Sequence, residues 1–221
     1  MNIYLKDTVA GEYDAYYTTP QGKKVDDIEK KIISDLMTDI PAGELLELGC
    51  GTAHWTQYLC EQGFQVTAID TSDEMLKIAR KKNISNAVFQ NEDAAKLPFS
   101  DQSFSLIISI TMLEFVDDME AVFKEIDRLL LPGGYLVLGC LNSESELGKY
   151  KDNDEVFRHA RFFSSQVIKD KMLRFGEPVL HAGVYFSADF EILDSSEKQN
   201  SVQPAFIGAL VQKNKPYGNI G

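Results

Sequence analysis

Between positions 47 and 52 the chain reads Glu-Leu-Gly-Cys-Gly-Thr, two glycines one residue apart with an acid just ahead of them. Glycines so placed let a strand turn sharply into a helix and bring bare backbone against a ligand. The unpaired amides and positive dipole end of the following helix would face a carboxylate or a phosphate. The dinucleotide fingerprint GxGxxG asks for a third glycine at position 54, where this chain has His54, so a nicotinamide-dinucleotide oxidoreductase is disfavoured. Glu47 argues the same way, since its charge would repel a diphosphate and attract a ligand bearing an ammonium group. Nineteen residues after Gly51 stands Asp70, a carboxylate able to accept both hydroxyls of a ribose. Its competing role is that of an acid at a helix N-terminus, beside Ser72 and Asp73.

The elements that must hold these residues follow from hydrophobic patterning. Apolar runs at Leu45–Leu48, Gln65–Ile69, Ala87–Gln90, Phe104–Ile110 and Tyr135–Leu141 read as strands, several of them nearly continuous, as strands covered on both faces should be. Helical stretches alternate with them: Ala53–Gln62, then Ser72–Lys82 with Ser72 as N-cap, then Asp117–Leu130, which stops at Pro132-Gly133-Gly134. This alternation implies βαβ units and a parallel sheet. Ahead of the core, Val25–Met37 reads as a helix. Behind it come a polar stretch at Asn142–Asn153, a helix over Ser164–Phe175 and late strands near Gly183–Phe186 and over Ala205–Gln212. We expect a single domain over 1–221: an N-terminal cap segment (1–40), a core (41–142), a cap insertion with the late helix (143–187), final strands (188–213) and a frayed tail (214–221).

The 221 residues carry 34 acidic against 22 basic side chains, a net charge of −12. Such a surface repels phosphates, so nucleic acid is not an expected partner. There is no apolar run of membrane-spanning length, and the first residues lack the basic and apolar regions of a signal peptide, which makes the cytoplasm the expected location. The three cysteines form no CxxC pair and the three histidines lie far apart, so neither a disulfide framework nor a metal site is expected. Oligomeric state has no signature in the sequence.

Four further segments follow the glycine turn in order. They are Asn91-Glu92-Asp93-Ala94-Ala95-Lys96-Leu97-Pro98-Phe99, Asp101-Gln102-Ser103-Phe104-Ser105-Leu106-Ile107-Ile108, Leu113-Glu114-Phe115-Val116-Asp117-Asp118 and Leu131-Pro132-Gly133-Gly134. Together with Glu47–Gly51 and Asp70 they resemble the class I S-adenosylmethionine (SAM)-dependent methyltransferases. The resemblance spans roughly residues 11–213 and is closest to the quinone-biosynthesis branch and its relatives acting on small molecules. The flanks Tyr13–Gly22 and Ala160–Ser164 are similar to that group as well. His54-Trp55 departs from the small residue usual at the first of these two positions, and no NPPY-type turn marks a defined acceptor.

The resemblance implies a Rossmann-like three-layer α/β sandwich, with a mostly parallel seven-stranded sheet whose last strand is antiparallel, and a small helical cap. It implies SAM as cofactor and a small molecule as methyl acceptor. Glu47, Gly49 and Gly51 would surround the methionine part, Asp70 the ribose hydroxyls, and Asp93 with the Ala94 backbone the adenine. Ile110 and Thr111 would line the floor, and Cys50, Thr71 and Met75 complete the expected cofactor-binding set. The catalytic residue is open. Glu114, Tyr17 and His159 are the candidates for a general base, with Asn142 as an orienting group. Against these stand ordinary roles: Glu114 as a solvated loop carboxylate, His159 as a surface residue, and Tyr13, Tyr16 and Tyr17 as cap packing. Cys50 could be a reactive thiol at a helix N-terminus, but its small size explains it equally. Trp55 reads as packing, and Arg161 as either an anion contact or a surface ion-pair partner. A non-catalytic binder of SAM or S-adenosylhomocysteine is the alternative to an enzyme.

Overall fold

In the computed structural model the chain is described over residues 13–193 and 201–215. The expected frayed tail lies outside the described residues from 216 onward, as does the cap segment before residue 13. Seven strands form one sheet: β1 (Glu44–Leu48), β2 (Gln65–Asp70), β3 (Ala87–Asn91), β4 (Phe104–Ile110), β5 (Leu130–Leu141), β6 (Val179–Gly183) and β7 (Phe206–Gln212). Their order is β3-β2-β1-β4-β5-β7-β6. All pairings are parallel except those of β7, which runs antiparallel to both β5 and β6. The sheet is thus the Rossmann-like one expected, with its antiparallel strand last in sequence.

Helices accompanying the sheet among the described residues include α1 (Pro20–Leu36), α2 (His54–Glu61), α3 (Asp73–Lys81), α4 (Met119–Leu129), α5 (Glu146–Tyr150) and α6 (Ser165–Met172). Alternating side chains of the central strands go to opposite faces, so burying both faces requires two layers of helix. On one face Leu46, Leu48, Ile107 and Leu138 pack with Val122, Phe123 and Ile126 of α4. On the other, Leu45, Val66, Ile108 and Val137 pack with Ile33 and Leu36 of α1, Leu59 of α2 and Leu76 of α3. Helix α1 presses close to the antiparallel edge. A Cβ at Gly208 would stand 2.5 Å from Ile32 Cγ2, and one at Gly183 2.7 Å from Ile32 Cδ1. Among the described residues no helix is long and apolar enough to cross a membrane.

Several boundaries differ from expectation, among them the first helix, which starts at Pro20 rather than Val25 with Thr19 as its N-cap. The penultimate strand is Val179–Gly183 rather than Gly183–Phe186, because Val184 takes φ 57° and ends the extended run. The Pro132-Gly133-Gly134 segment does not separate helix from strand but lies inside β5. Leu130 already pairs with Phe104, Tyr135 pairs with Leu106, and the residues between bulge out with Gly133 at φ 82°. The late helix ends at Met172, short of Phe175, and Ser164 caps it as expected by accepting the Val167 amide at 3.3 Å. Ser72 likewise caps α3 through the Met75 amide at 3.3 Å.

Candidate functional site

Strand order reverses at β1, whose neighbours are β2 on one side and β4 on the other. Crossovers leave that point to opposite faces, so a crevice opens at the carboxyl ends of these strands. The chain leaving β1 enters it through three left-handed residues, Gly49 (φ 72°), Gly51 (φ 53°) and Ala53 (φ 68°). The Gly49 and Cys50 amides both donate to the Ile69 carbonyl at 2.9 Å, which fixes the turn to β2. The two glycines differ in purpose. A Cβ on Gly49 would lie 2.1 Å from Met112 Cγ, whereas one on Gly51 would meet no protein atom within 4 Å. Gly49 is bare because the protein is in the way, and Gly51 faces open space.

Asp70, at the tip of β2, closes the turn. Its Oδ2 accepts the Gly51 amide at 2.8 Å and its Oδ1 the Ser72 amide at 2.8 Å. Burial raises its pKa, and the backbone donors oppose that rise. Glu47 sits below, 2% exposed, with Oε2 accepting the Thr56 hydroxyl at 2.5 Å. Burial first, and the Asp70 charge after it, push its carboxyl up to about 7 against the pull of Thr56. The same burial pushes the Cys50 thiol well above its ordinary value, with Glu47 and Asp70 adding to it. A thiolate is therefore disfavoured, and Cys50 is in the turn for its size.

Asp93 follows β3, and its Oδ1 accepts the Ala95 amide at 2.9 Å, shaping the tight turn at 93–96. Thr111, directly after β4, holds φ 49°, an unfavourable conformation for a β-branched residue. Its amide donates to the Gly139 carbonyl at 2.7 Å, so pairing with β5 sustains the strain.

These segments line one cleft that is open to solvent. Every residue expected to bind cofactor lines it: Glu47, Gly49, Cys50 and Gly51 from the turn, Asp70, Thr71 and Met75 from the β2–α3 corner, Asp93 and Ala94 after β3, Ile110 and Thr111 after β4. Tyr13, His54, Trp55, Met112, Phe115 and Val116 line it too, although the motifs did not single them out as cofactor ligands. Phe115 and Val116 could have been anticipated, since they continue the chain past Thr111. Tyr13 and His54 needed the third dimension: Tyr17 stacks on His54 with centroids 3.7 Å apart, bringing residues 13–17 to the rim.

The candidate bases fare differently. His159 is exposed in a short turn at Phe157–His159, away from the cleft, and Arg161 is exposed as well. The Tyr17 hydroxyl lies 3.1 Å from that of Tyr13, and burial drives its pKa upward, which makes a phenolate base costly. Asn142 is fully buried and bonds backbone: Nδ2 donates to the Pro204 carbonyl at 2.8 Å and Oδ1 accepts the Glu144 amide at 3.0 Å. Glu114 is no solvated loop carboxylate, being 2% exposed. Its Oε1 accepts the Leu141 amide at 2.6 Å, and its buried Oε2 meets no hydrogen-bond partner among the described residues. Burial pushes this carboxyl up to about 7.

Residues 46–138, which span the turn and the parallel strands around it, match the model of a methyltransferase domain. The chain is 28% identical over 219 residues to an uncharacterized protein of Methanocaldococcus jannaschii, covering 96% of this chain and 100% of that one. It is 35% identical over 119 residues to the demethylmenaquinone methyltransferase of Staphylococcus epidermidis, covering 52% and 48% of the two chains. The chain therefore matches about half the length of that curated enzyme. It shares its fold with a SAM-dependent methyltransferase of Thermotoga maritima described as a possible histamine N-methyltransferase. There the TM-score is 0.70 at 24% identity, over 96% of this chain and 99% of the other.

Proposed function

We propose that this protein transfers a methyl group from SAM to a small-molecule acceptor by in-line displacement. In this reading it works as one unit, in which residues 1–40 and 143–187 cap the core of 41–142. One observation carries the reading: residues from four separate stretches, expected as cofactor ligands, line a single cleft at the strand-order reversal. The chemistry of the cleft fits the cofactor. Gly51 leaves free the space a side chain would take, Glu47 offers a carboxylate to an ammonium group, and Asp70 has lone pairs left for ribose hydroxyls. Asp93 and the Ala94 backbone take the adenine. Ile110 and Thr111 form the floor.

The bound cofactor supplies a methyl group on a sulfonium leaving group, so the protein has no electrophile to build. Its own work is to hold the acceptor about 3–3.5 Å away, aligned and screened from water, which is worth several kcal/mol. Tyr13, Phe115 and Val116 give the cleft an aromatic and apolar wall suited to that exclusion. The relatives support a small-molecule acceptor without agreeing on its type, since one is named for demethylmenaquinone and another for histamine.

Calorimetry with SAM, S-adenosylhomocysteine and NAD, followed by methyl-transfer assays over quinones, phenols and amines, tests the reading. SAM binding with turnover on one of these is the expected result. Micromolar NAD binding without SAM binding would overturn it, and SAM binding with no turnover on any acceptor would favour a non-catalytic binder.

A further inference from the structure

Four carboxylates line the cleft, Glu47, Asp70, Glu92 and Asp93, and its described lining includes no lysine and no arginine. The lining side chain that can carry a positive charge is His54. It is held on two sides. Nε2 donates to Asp26 Oδ1 at 2.8 Å, and Asp26 Oδ2 in turn accepts the Lys30 ammonium at 2.7 Å. The imidazole lies flat on the Tyr17 ring, with planes 10° apart. Helix α1 and residues 13–17 thus fix a single ring at the first position of α2, with 19% of its side chain exposed.

The cofactor assigned to this cleft carries a carboxylate beside its ammonium and sulfonium groups. The acids can meet the ammonium and the ribose, but they would repel the carboxylate. We infer that His54, positioned by Asp26, binds the carboxylate at the amino-acid end of the cofactor and sets the preference for a ligand that keeps it. The inference rests on the cofactor reading above. With Nε2 committed to Asp26, Nδ1 is the ring nitrogen left to meet an incoming carboxylate. Asp26 and Lys30 act through His54 and are positioning residues.

The test compares S-adenosylhomocysteine with S-adenosyl-3-thiopropylamine, which keeps the ammonium and lacks the carboxylate, by calorimetry. A charge-assisted hydrogen bond predicts that the wild type prefers the first by on the order of 10- to 100-fold. His54→Leu should bring that preference within about threefold by weakening S-adenosylhomocysteine alone, and His54→Arg should restore it. Should His54→Leu fail to fold, His54→Gln, which keeps a donor for Asp26, carries the same comparison. His54→Leu or His54→Gln retaining the wild-type preference, or losing both ligands equally, overturns the assignment. A wild type that binds neither ligand brings down the cofactor reading itself, and this inference with it.

Discussion

The backbone amide of Gly51 donates to the Asp70 carboxylate at 2.8 Å, joining the turn after β1 to the tip of β2. With Ser72 on its other oxygen, Asp70 organises two backbone segments before any ligand arrives. Removing its charge while keeping its shape separates the two roles. Asp70→Asn is expected to weaken SAM binding by about 1–3 kcal/mol, roughly 5- to 100-fold, in calorimetry. Unchanged affinity would mean that the carboxylate serves the backbone alone.

The two glycines of the turn predict opposite phenotypes. Gly49→Ala drives a Cβ into Met112 at φ 72° and is expected to lower stability by on the order of 1–3 kcal/mol in urea titration. A Cβ at Gly51 meets no protein atom within 4 Å, so Gly51→Val should keep the fold at a cost of about 1–2 kcal/mol for its left-handed backbone. Its side chain would occupy ligand space, and SAM binding should disappear. Normal SAM affinity in Gly51→Val would refute the placement of the cleft.

Much of this architecture was legible because it follows from local rules. The parallel strands are near-continuous apolar runs, and the sequence spacing of Glu47, Gly51, Asp70 and Asp93 places each at the end of a strand or in the turn beyond it. What escaped was set by non-local packing. The third left-handed position of the turn is Ala53, not the residue at 54 that a dinucleotide fingerprint would test, and a Cβ there hides the need for positive φ. Glu114 looked like a loop acid because its neighbours are Phe-Val-Asp-Asp. Its burial comes from Leu141, which takes up its Oε1, and from its place against the sheet. His54 gained its Asp26 partner only when α1 docked.

Stability should fall as pH rises from acid to neutral. Burial pushes Glu114 up to about 7, and burial together with the charges of Asp26 and Glu114 pushes Glu29 up to about 8, against an ordinary 4.5. Between about pH 4.5 and 7–8 the folded chain holds protons that the unfolded chain has released. Their contribution is full below 4.5 and lost on passing the folded values. Urea titrations should show higher stability at pH 5.5 than at pH 8. Glu29→Gln should raise stability at pH 8 by on the order of 1–3 kcal/mol and change it little at pH 5. No gain at pH 8 would show that Glu29 ionises without penalty in the folded state.

Arg128 has the most to lose from substitution outside the cleft. Its Nη1 donates to the Phe99 carbonyl at 2.7 Å and to Asp101 at 2.8 Å, and its Nη2 to the Leu97 carbonyl at 3.0 Å. Nε and Nη2 also grip Glu125, whose Oε2 accepts the Leu97 amide at 2.8 Å. One guanidinium at the end of α4 therefore ties down the Leu97-Pro98-Phe99 segment that follows Asp93 and Ala94 in the cleft wall. A lysine has the charge but not the fork, so it cannot hold two carbonyls and two carboxylates together. Arg128→Lys is expected to cost about 1–3 kcal/mol of stability in urea titration. Because the loosened segment follows Asp93 and Ala94, proposed above to take the adenine, it should also weaken S-adenosylhomocysteine more than it weakens methionine-like fragments lacking the base. Equal losses for both ligands would mean that the clamp stabilises the fold without shaping the site.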